Sequence, residues 1–283
     1  MKDFKDRVAV VTGGASGIGL GLAHRCAAEG MKIVLADVEG PALKESERSL
    51  KAGGAEVLGI HADVSKHTDV EMVRDKTLAA FGGVHLLFNN AGVQASKATA
   101  FWESSLNDWH WVVGVNLWGV IHGIRTFLPV MVAQNEPAHV VNTASMAGLF
   151  PTTVNGIYSV TKSAVVNLSE DLYLQVGERG LPIGVTVVCP SFVRTRLNEA
   201  ERNRPADLAG PPAPPLPPER AELVKNFEAL NETGTPPDEF AGFVFDAIRA
   251  DRLYCLPHRD RVEVLRERVE NIISGTNPSR GGY

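Results

Sequence analysis

Two hundred and eighty-three residues suit one large domain, and 44% hydrophobic with 22% charged residues exclude a disordered or fibrous chain. The net charge of -5 and a pI near 5.9 leave no basic footprint for nucleic acid. Cys26, Cys189 and Cys255 are far apart and form no Cys-x-x-Cys pair. Neither a disulfide framework nor a metal site is expected, and a reducing, cytoplasmic setting fits. No run of ~18 apolar residues is evident, so no membrane-spanning helix is expected.

Short apolar runs then recur along the chain, at 8–11, 33–36, 57–60, 85–88, 140–141, 183–189 and 253–256. Several are rich in Val and Ile without alternation, as in strands buried on both faces. Between them, helical spacing of apolar residues predicts helices over 18–29, 40–52, 66–81, 106–135 and 158–179. Strand-helix alternation predicts an α/β fold: a doubly wound, Rossmann-type parallel sheet with helices on both faces, in a single domain over 1–283. Pro205 to Pro218 holds Pro-Pro-Ala-Pro-Pro-Leu-Pro-Pro, which suits neither helix interior nor central strand. It reads as a surface linker or, within 191–237, as part of a Pro-rich lid over a substrate site.

Thr12-Gly13-Gly14-Ala15-Ser16-Gly17-Ile18-Gly19 follows the first strand directly and opens the first helix. Glycines allow a sharp turn and a close backbone approach to a pyrophosphate, and the helix N-terminus offers free N–H groups to it. Gly13, Ser16, Gly17, Ile18 and Gly19 are therefore candidate dinucleotide ligands, against the alternative of a plain Gly-rich turn. Asp37 ends the second strand. A carboxylate there accepts bonds from both ribose hydroxyls and repels a 2′-phosphate, favouring NAD over NADP, although a helix cap is the other reading. Asp63, which ends the third strand, suits a hydrogen bond from the adenine amine with Val64 packed on the ring, or else another helix cap.

Asn89-Asn90-Ala91-Gly92 ends the fourth strand, and Ser145 lies just past the fifth. Tyr158 and Lys162 stand four apart at the start of a helix, and Asn116 sits inside the long helix before the fifth strand. In order and spacing these residues resemble the short-chain dehydrogenase/reductase family over 7–198. Residues i and i+4 share a helix face, so Lys162 can reach toward Tyr158. A nearby ammonium favours the phenolate, making Tyr158 a general acid/base for an alcohol or ketone. Ser145 can hold the substrate oxygen. Taken singly, each has a bland alternative: an exposed helix pair, a turn serine, an asparagine satisfying a helix kink.

The resemblance implies more. Asn116 holds a water that links Lys162 to solvent. Asn90, Ala91 and Gly92 line the cofactor site. Cys189-Pro190-Ser191-Phe192-Val193-Arg194-Thr195 is similar to the family's Pro-Gly-x-Val-x-Thr, so Pro190, Val193 and Thr195 would bind the carboxamide, with Ser191 in place of the usual glycine. The long helix and the Tyr158 helix would pair between subunits, giving a homodimer or homotetramer. The substrate pocket would draw on Val93, Met146, Leu149, Phe150, Phe192 and Leu197, with Gln94, Asn155 and Arg196 as polar contacts. Phe101, Trp102, Trp109, Trp111 and Trp118 read as core or subunit interface. Asn203-Arg204-Pro205 and the tail around Leu253-Tyr254-Cys255 also look similar to bacterial dehydrogenases of benzylic secondary alcohols in lignin-derived aryl ethers.

The function expected is NAD-dependent oxidoreduction of a hydrophobic or aromatic secondary alcohol or ketone. Three alternatives stand beside it. They are an NADP-dependent 3-oxoacyl thioester reductase, a nucleotide-sugar epimerase or dehydratase, and a non-catalytic NAD-binding regulator. Asp37 and the acidic pI count against the first, the spacing of the glycine turn against the second, and the intact Ser145, Asn116, Tyr158 and Lys162 against the third.

Overall fold

The computed structural model describes residues 1–95, 100–152, 156–210 and 215–278. Seven strands form one parallel sheet: β1 (Val8–Thr12), β2 (Lys32–Asp37), β3 (Val57–His61), β4 (Leu86–Asn89), β5 (Ala138–Thr143), β6 (Ile183–Val188) and β7 (Tyr254–Cys255). Their order is β3-β2-β1-β4-β5-β6-β7. The order reverses between β1 and β4, and a crevice opens beyond the carboxyl ends of such strands.

Alternate residues of each strand feed opposite layers. Ala9, Val11, Ile33, Leu35, Leu86 and Phe88 pack against Leu22, Cys26, Phe240 and Phe245. Those four belong to α1 (Gly17–Ala28) and, after α2 (Gly40–Ala52) and the later helices, α8 (Pro237–Arg249). Val10, Val34, Leu87, Val140 and Val185 face the other way, toward Val70, Phe127, Met131 and Leu172. That layer holds α3 (His67–Phe81), α4 (Leu106–Val113), α5 (Gly119–Gln134) and α6 (Gly156–Glu178). The doubly wound single domain predicted from the sequence is therefore the one observed.

Three differences matter. First, the chain after the Pro-rich stretch is helical, which the sequence reading did not assign: α7 (Pro218–Glu232), α8 and α9 (Val262–Ser274). Pro218 begins α7 at the one place where a missing N–H costs nothing. Pro205, Ala209 and Pro217 do take polyproline-like backbone angles, and 211–214 lie outside the described residues. Second, the predicted helix 106–135 contains a π turn, Gly114–Trp118, between α4 and α5. Third, Leu106–Gln134 is long and apolar enough to cross a membrane by length and composition, where the sequence expectation was of no such helix. In the fold, its Trp111, Val112, Val120, Phe127 and Met131 are core residues.

Candidate active site

A cavity of about 390 Å³ opens at the β1/β4 switch point. Its floor is the glycine turn. Gly13 and Gly17 have φ of +63° and +52°, in the left-handed region that favours glycine. A Cβ on Gly19 would lie 2.0 Å from the Gly13 carbonyl oxygen, so only glycine lets the helix start here. The first turn of α1 holds no acidic side chain, which leaves its N-terminus free to favour an anion. Asn90 locks turn and switch point together: its Nδ2 donates to the Thr12 carbonyl at 3.0 Å, and its backbone N–H donates to Thr12 Oγ1 at 2.9 Å.

Asp37 is buried at the tip of β2. Its Oδ2 accepts from the Ala15 N–H and its Oδ1 from the Glu39 N–H, each at 2.9 Å. Burial raises its pKa despite these bonds. Asp63 accepts from both the N–H and the hydroxyl of Ser65 and faces Lys66 Nζ at 3.7 Å. Asp37, Asp63, Val64, Ala91 and Gly92 all line the cavity.

Ser145, Tyr158 and Lys162 line its far end, with Pro190, Val193 and Thr195. Ser145 Oγ donates to the Pro190 carbonyl at 3.4 Å and accepts from the Ala147 N–H at 3.1 Å. Lys162 Nζ donates to the Thr143 carbonyl at 2.7 Å and sits 5.5 Å from the centre of the Tyr158 ring. Burial pushes the Tyr158 phenol up to about 12 and the Lys162 ammonium down to about 8. In the chain by itself, burial is the largest influence on the phenol. Asn116 lies in the π turn, away from the cavity surface. Its Oδ1 accepts from the Val93 N–H at 2.8 Å, and its Nδ2 donates to the Val93 carbonyl at 2.9 Å and to Thr161 Oγ1 at 3.2 Å. It thereby fixes the strand exit at Val93. Ser191 is not among the residues with positive φ, so its replacement of glycine carries no backbone strain.

The expected substrate residues divide. Val93 and Leu197 line the cavity. Met146 does not; it is buried in a core cluster with Val120 and Val165, because its short 3-10 turn points it inward. Phe150 belongs to the same cluster and borders a separate cavity of about 550 Å³ beside α9. Phe192 packs edge-on against Phe227 of α7, at 5.2 Å. Asn155 lies outside the described residues. Gln94 is tied to Asn198, with Nε2 donating at 2.9 Å. Arg196 faces Glu199 and Glu39 rather than the reacting end. Trp111, read as core or interface, is buried yet lines the cavity, while Trp102 and Trp118 are exposed.

Sequence reasoning missed the ties that hold the segment after β6. Val193 bridges Thr235 in parallel. His258 accepts from the Ser191 N–H and bonds Thr235 Oγ1, each at 3.0 Å. Two 3-10 turns, Leu197–Asn203 and Ala206–Leu208, then cross the cavity. At one edge Arg202 Nη2 donates to Glu39 Oε1 at 2.5 Å, and Asn203 Nδ2 donates to the same oxygen at 3.0 Å. Partial burial raises the Glu39 pKa, but these partners bring it below the usual carboxylate range. At the other edge Arg204 pairs with Asp108 at 2.6 Å and lies 4.3 Å above the Trp111 ring.

Comparison with known proteins matches residues 7–206 to the short chain dehydrogenase family model. The chain is 34% identical over 279 residues to the CLA biosynthesis dehydrogenase/reductase of Lactiplantibacillus plantarum, covering 98% of this chain and 97% of that one. It is 33% identical over 279 residues to the C alpha-dehydrogenase of Sphingobium sp. SYK-6, covering 98% and 89%. A short chain dehydrogenase/reductase from Burkholderia phymatum, solved in complex with NAD, superposes with a TM-score of 0.95 at 43% identity over the whole of both chains.

Proposed function

The chain belongs to the short-chain dehydrogenase family, and from that premise we propose that it interconverts a hydrophobic or aromatic secondary alcohol and its ketone, using NAD. The observation that carries this reading is the convergence of Ser145, Tyr158 and Lys162 on the cavity that also holds Asp37 and the glycine turn. The residues present fit a dinucleotide. The turn leaves no room for a Cβ at Gly19, the first turn of α1 carries no opposing acid, and Asp37 lines the same cavity, where it would accept bonds from the ribose hydroxyls. Gly13, Ser16, Gly17 and Ile18 would hold the pyrophosphate, and Asp63 and Val64 the adenine. Asn90, Ala91, Gly92, Pro190, Val193 and Thr195 would hold the nicotinamide half.

NAD held there would supply the hydride acceptor and a positive charge that favours a phenolate. The chain supplies the proton chemistry. Ser145 orients the substrate oxygen, and Tyr158 takes its proton on oxidation or returns one on reduction. Lys162 anchors at the Thr143 carbonyl and offers its charge to the phenolate. Asn116 keeps the Val93 strand exit in place; linking Lys162 to solvent through water remains part of the reading. The segment 191–237 acts as a lid. Trp111, Val93 and Leu197 give the cavity an apolar wall, which suits a bulky alcohol. The similar C alpha-dehydrogenase makes benzylic alcohols the first class to try. Exposed Trp118 of the π turn and Val132 of α5, with Val160 and Leu174 on α6, support pairing of copies as a dimer or tetramer. Three free, buried cysteines support a cytoplasmic setting.

The test is initial-rate absorbance of reduced nicotinamide with NAD+ or NADP+ against aliphatic, aromatic and steroidal secondary alcohols. Turnover with NAD+ and aryl alcohols, lost in Tyr158→Phe, is expected. Turnover with NADP+ alone would overturn the reading of Asp37. Tight NADH binding with no alcohol oxidised would favour a nucleotide-binding regulator.

A further inference from the structure

We propose that Glu39 is a second cofactor-discriminating carboxylate, acting by occupying Arg202 of the lid so that this arginine cannot receive a 2′-phosphate. The inference rests on the dinucleotide reading of the cleft and goes beyond the role given to Asp37. Its basis is a charge arrangement that no stretch of sequence displays. Glu39 is two residues past Asp37, and its own N–H donates to Asp37 Oδ1. Both residues line the cavity, as do three cations from elsewhere: Lys66, Arg196 and Arg202. Each cation faces a carboxylate. Lys66 faces Asp63 at 3.7 Å. Arg196 bonds Glu199 at 2.7 Å and stands 4.0 Å from Glu39. Arg202 bonds Glu39, reinforced by Asn203 on the same oxygen.

Arg202 and Glu39 are 163 residues apart in sequence, so their bond spans the cleft from the lid to the exit of β2. It does two things at once. It closes the lid across the ribose edge, and it spends the guanidinium that otherwise suits a phosphate. A 2′-phosphate brings close to two negative charges to this edge. To reach Arg202 it must displace Glu39 and leave that carboxylate unpaired beside Asp37. A plain ribose asks for no such exchange. Cofactor choice and lid closure are therefore one interaction, and the arginines are a latent phosphate site kept occupied from within.

Glutamine in place of Glu39 keeps an acceptor for Arg202 and Asn203 but removes the charge. Binding of NADH and NADPH is followed by nucleotide fluorescence on the full chain, which needs no substrate. In Glu39→Gln the preference for NADH over NADPH is expected to narrow about tenfold, mainly through tighter NADPH. Adding Arg202→Met is expected to erase that gain. Arg202→Met alone, which leaves Glu39 uncompensated, is expected to widen the preference a few-fold. An unchanged preference in Glu39→Gln, or a gain that persists without Arg202, overturns the inference while leaving the dinucleotide reading intact. Parallel loss of both nucleotides would make Glu39 a structural latch only, and also overturns it. Failure of the unaltered protein to bind either nucleotide overturns the cofactor reading, and the inference with it.

Discussion

The glycine turn and the segment over 191–237 face each other across one cleft, yet they are held in different ways. On the turn side the contacts are short and end on backbone: Gly19 against the Gly13 carbonyl, the Asn90 amide on the Thr12 carbonyl, the Asp37 carboxylate on the Ala15 N–H. On the lid side the ties are long charged side chains: Arg202 to Glu39, Arg204 to Asp108 and Trp111. Short contacts to backbone in a packed turn leave little alternative arrangement, whereas an ion pair between long, partly exposed side chains such as Arg202 and Glu39 contributes modestly and breaks at small cost. A rigid floor with a releasable cover suits a cofactor that must be bound firmly and let go every turnover.

Substitutions on the two sides should therefore fail in different ways. Gly19→Ala is expected to weaken NADH binding by ~100-fold or more, since the added carbon meets a carbonyl that cannot move without the turn; fluorescence titration alongside circular dichroism would separate lost binding from lost fold. Tyr158→Phe should cost about 1,000-fold in kcat while NADH binding changes little. A similar kcat in that variant would remove Tyr158 from the chemistry. Arg204→Met probes the lid. It should raise KM by about 3–10-fold with kcat nearly held, and lower stability by ~1–2 kcal/mol, given a pair only 9% exposed on the arginine side. A kcat collapse instead would mean the cover is as rigid as the floor.

The smallest effect at neutral pH is expected away from both walls. His139 of β5 is buried, with Nε2 on Thr186 Oγ1 at 2.8 Å, and burial holds its pKa down to about 3. The folded chain keeps this ring neutral while the unfolded chain protonates it below its ordinary value near 6.5. Stability due to this group is thus complete above about pH 6.5 and falls by ~1.4 kcal/mol per pH unit toward pH 3. Urea midpoints of His139→Gln should lie below those of the unaltered chain at neutral pH and converge with them in acid.

What the sequence displayed and what it hid follow the same division. The floor is made of neighbours in sequence. Thr12 to Gly19 form one turn, Tyr158 and Lys162 one helix face, and the strands are continuous apolar runs, so local pattern was enough. The cover is made of residues far apart along the chain. Nothing in the neighbourhood of Glu39 announces Arg202, and nothing near Ser191 announces His258. The orientations of Met146, Phe150 and Phe192 escaped for another reason. They sit in short turns and irregular backbone, where no period assigns a face. α7 was hidden because it is largely exposed and carries little apolar patterning; α9 does show helical apolar spacing at Val262, Leu265, Val269 and Ile272.

The π turn at Gly114–Trp118 has a consequence for how this chain can vary. Each residue in an α-helix advances the facing direction by about 100°, and a π turn accommodates one residue more than the regular spiral. The segment's length is therefore a counted quantity. Losing a single residue there would let the helix run smoothly, but it would swing the whole of α4 around its axis. Trp111 would leave the cleft and Asn116 would leave Val93. Side-chain exchanges along this stretch can be graded, while insertions and deletions are all-or-none. Length variation among descendants of this chain should therefore collect in the Pro-rich stretch before α7 and be absent from 106–134.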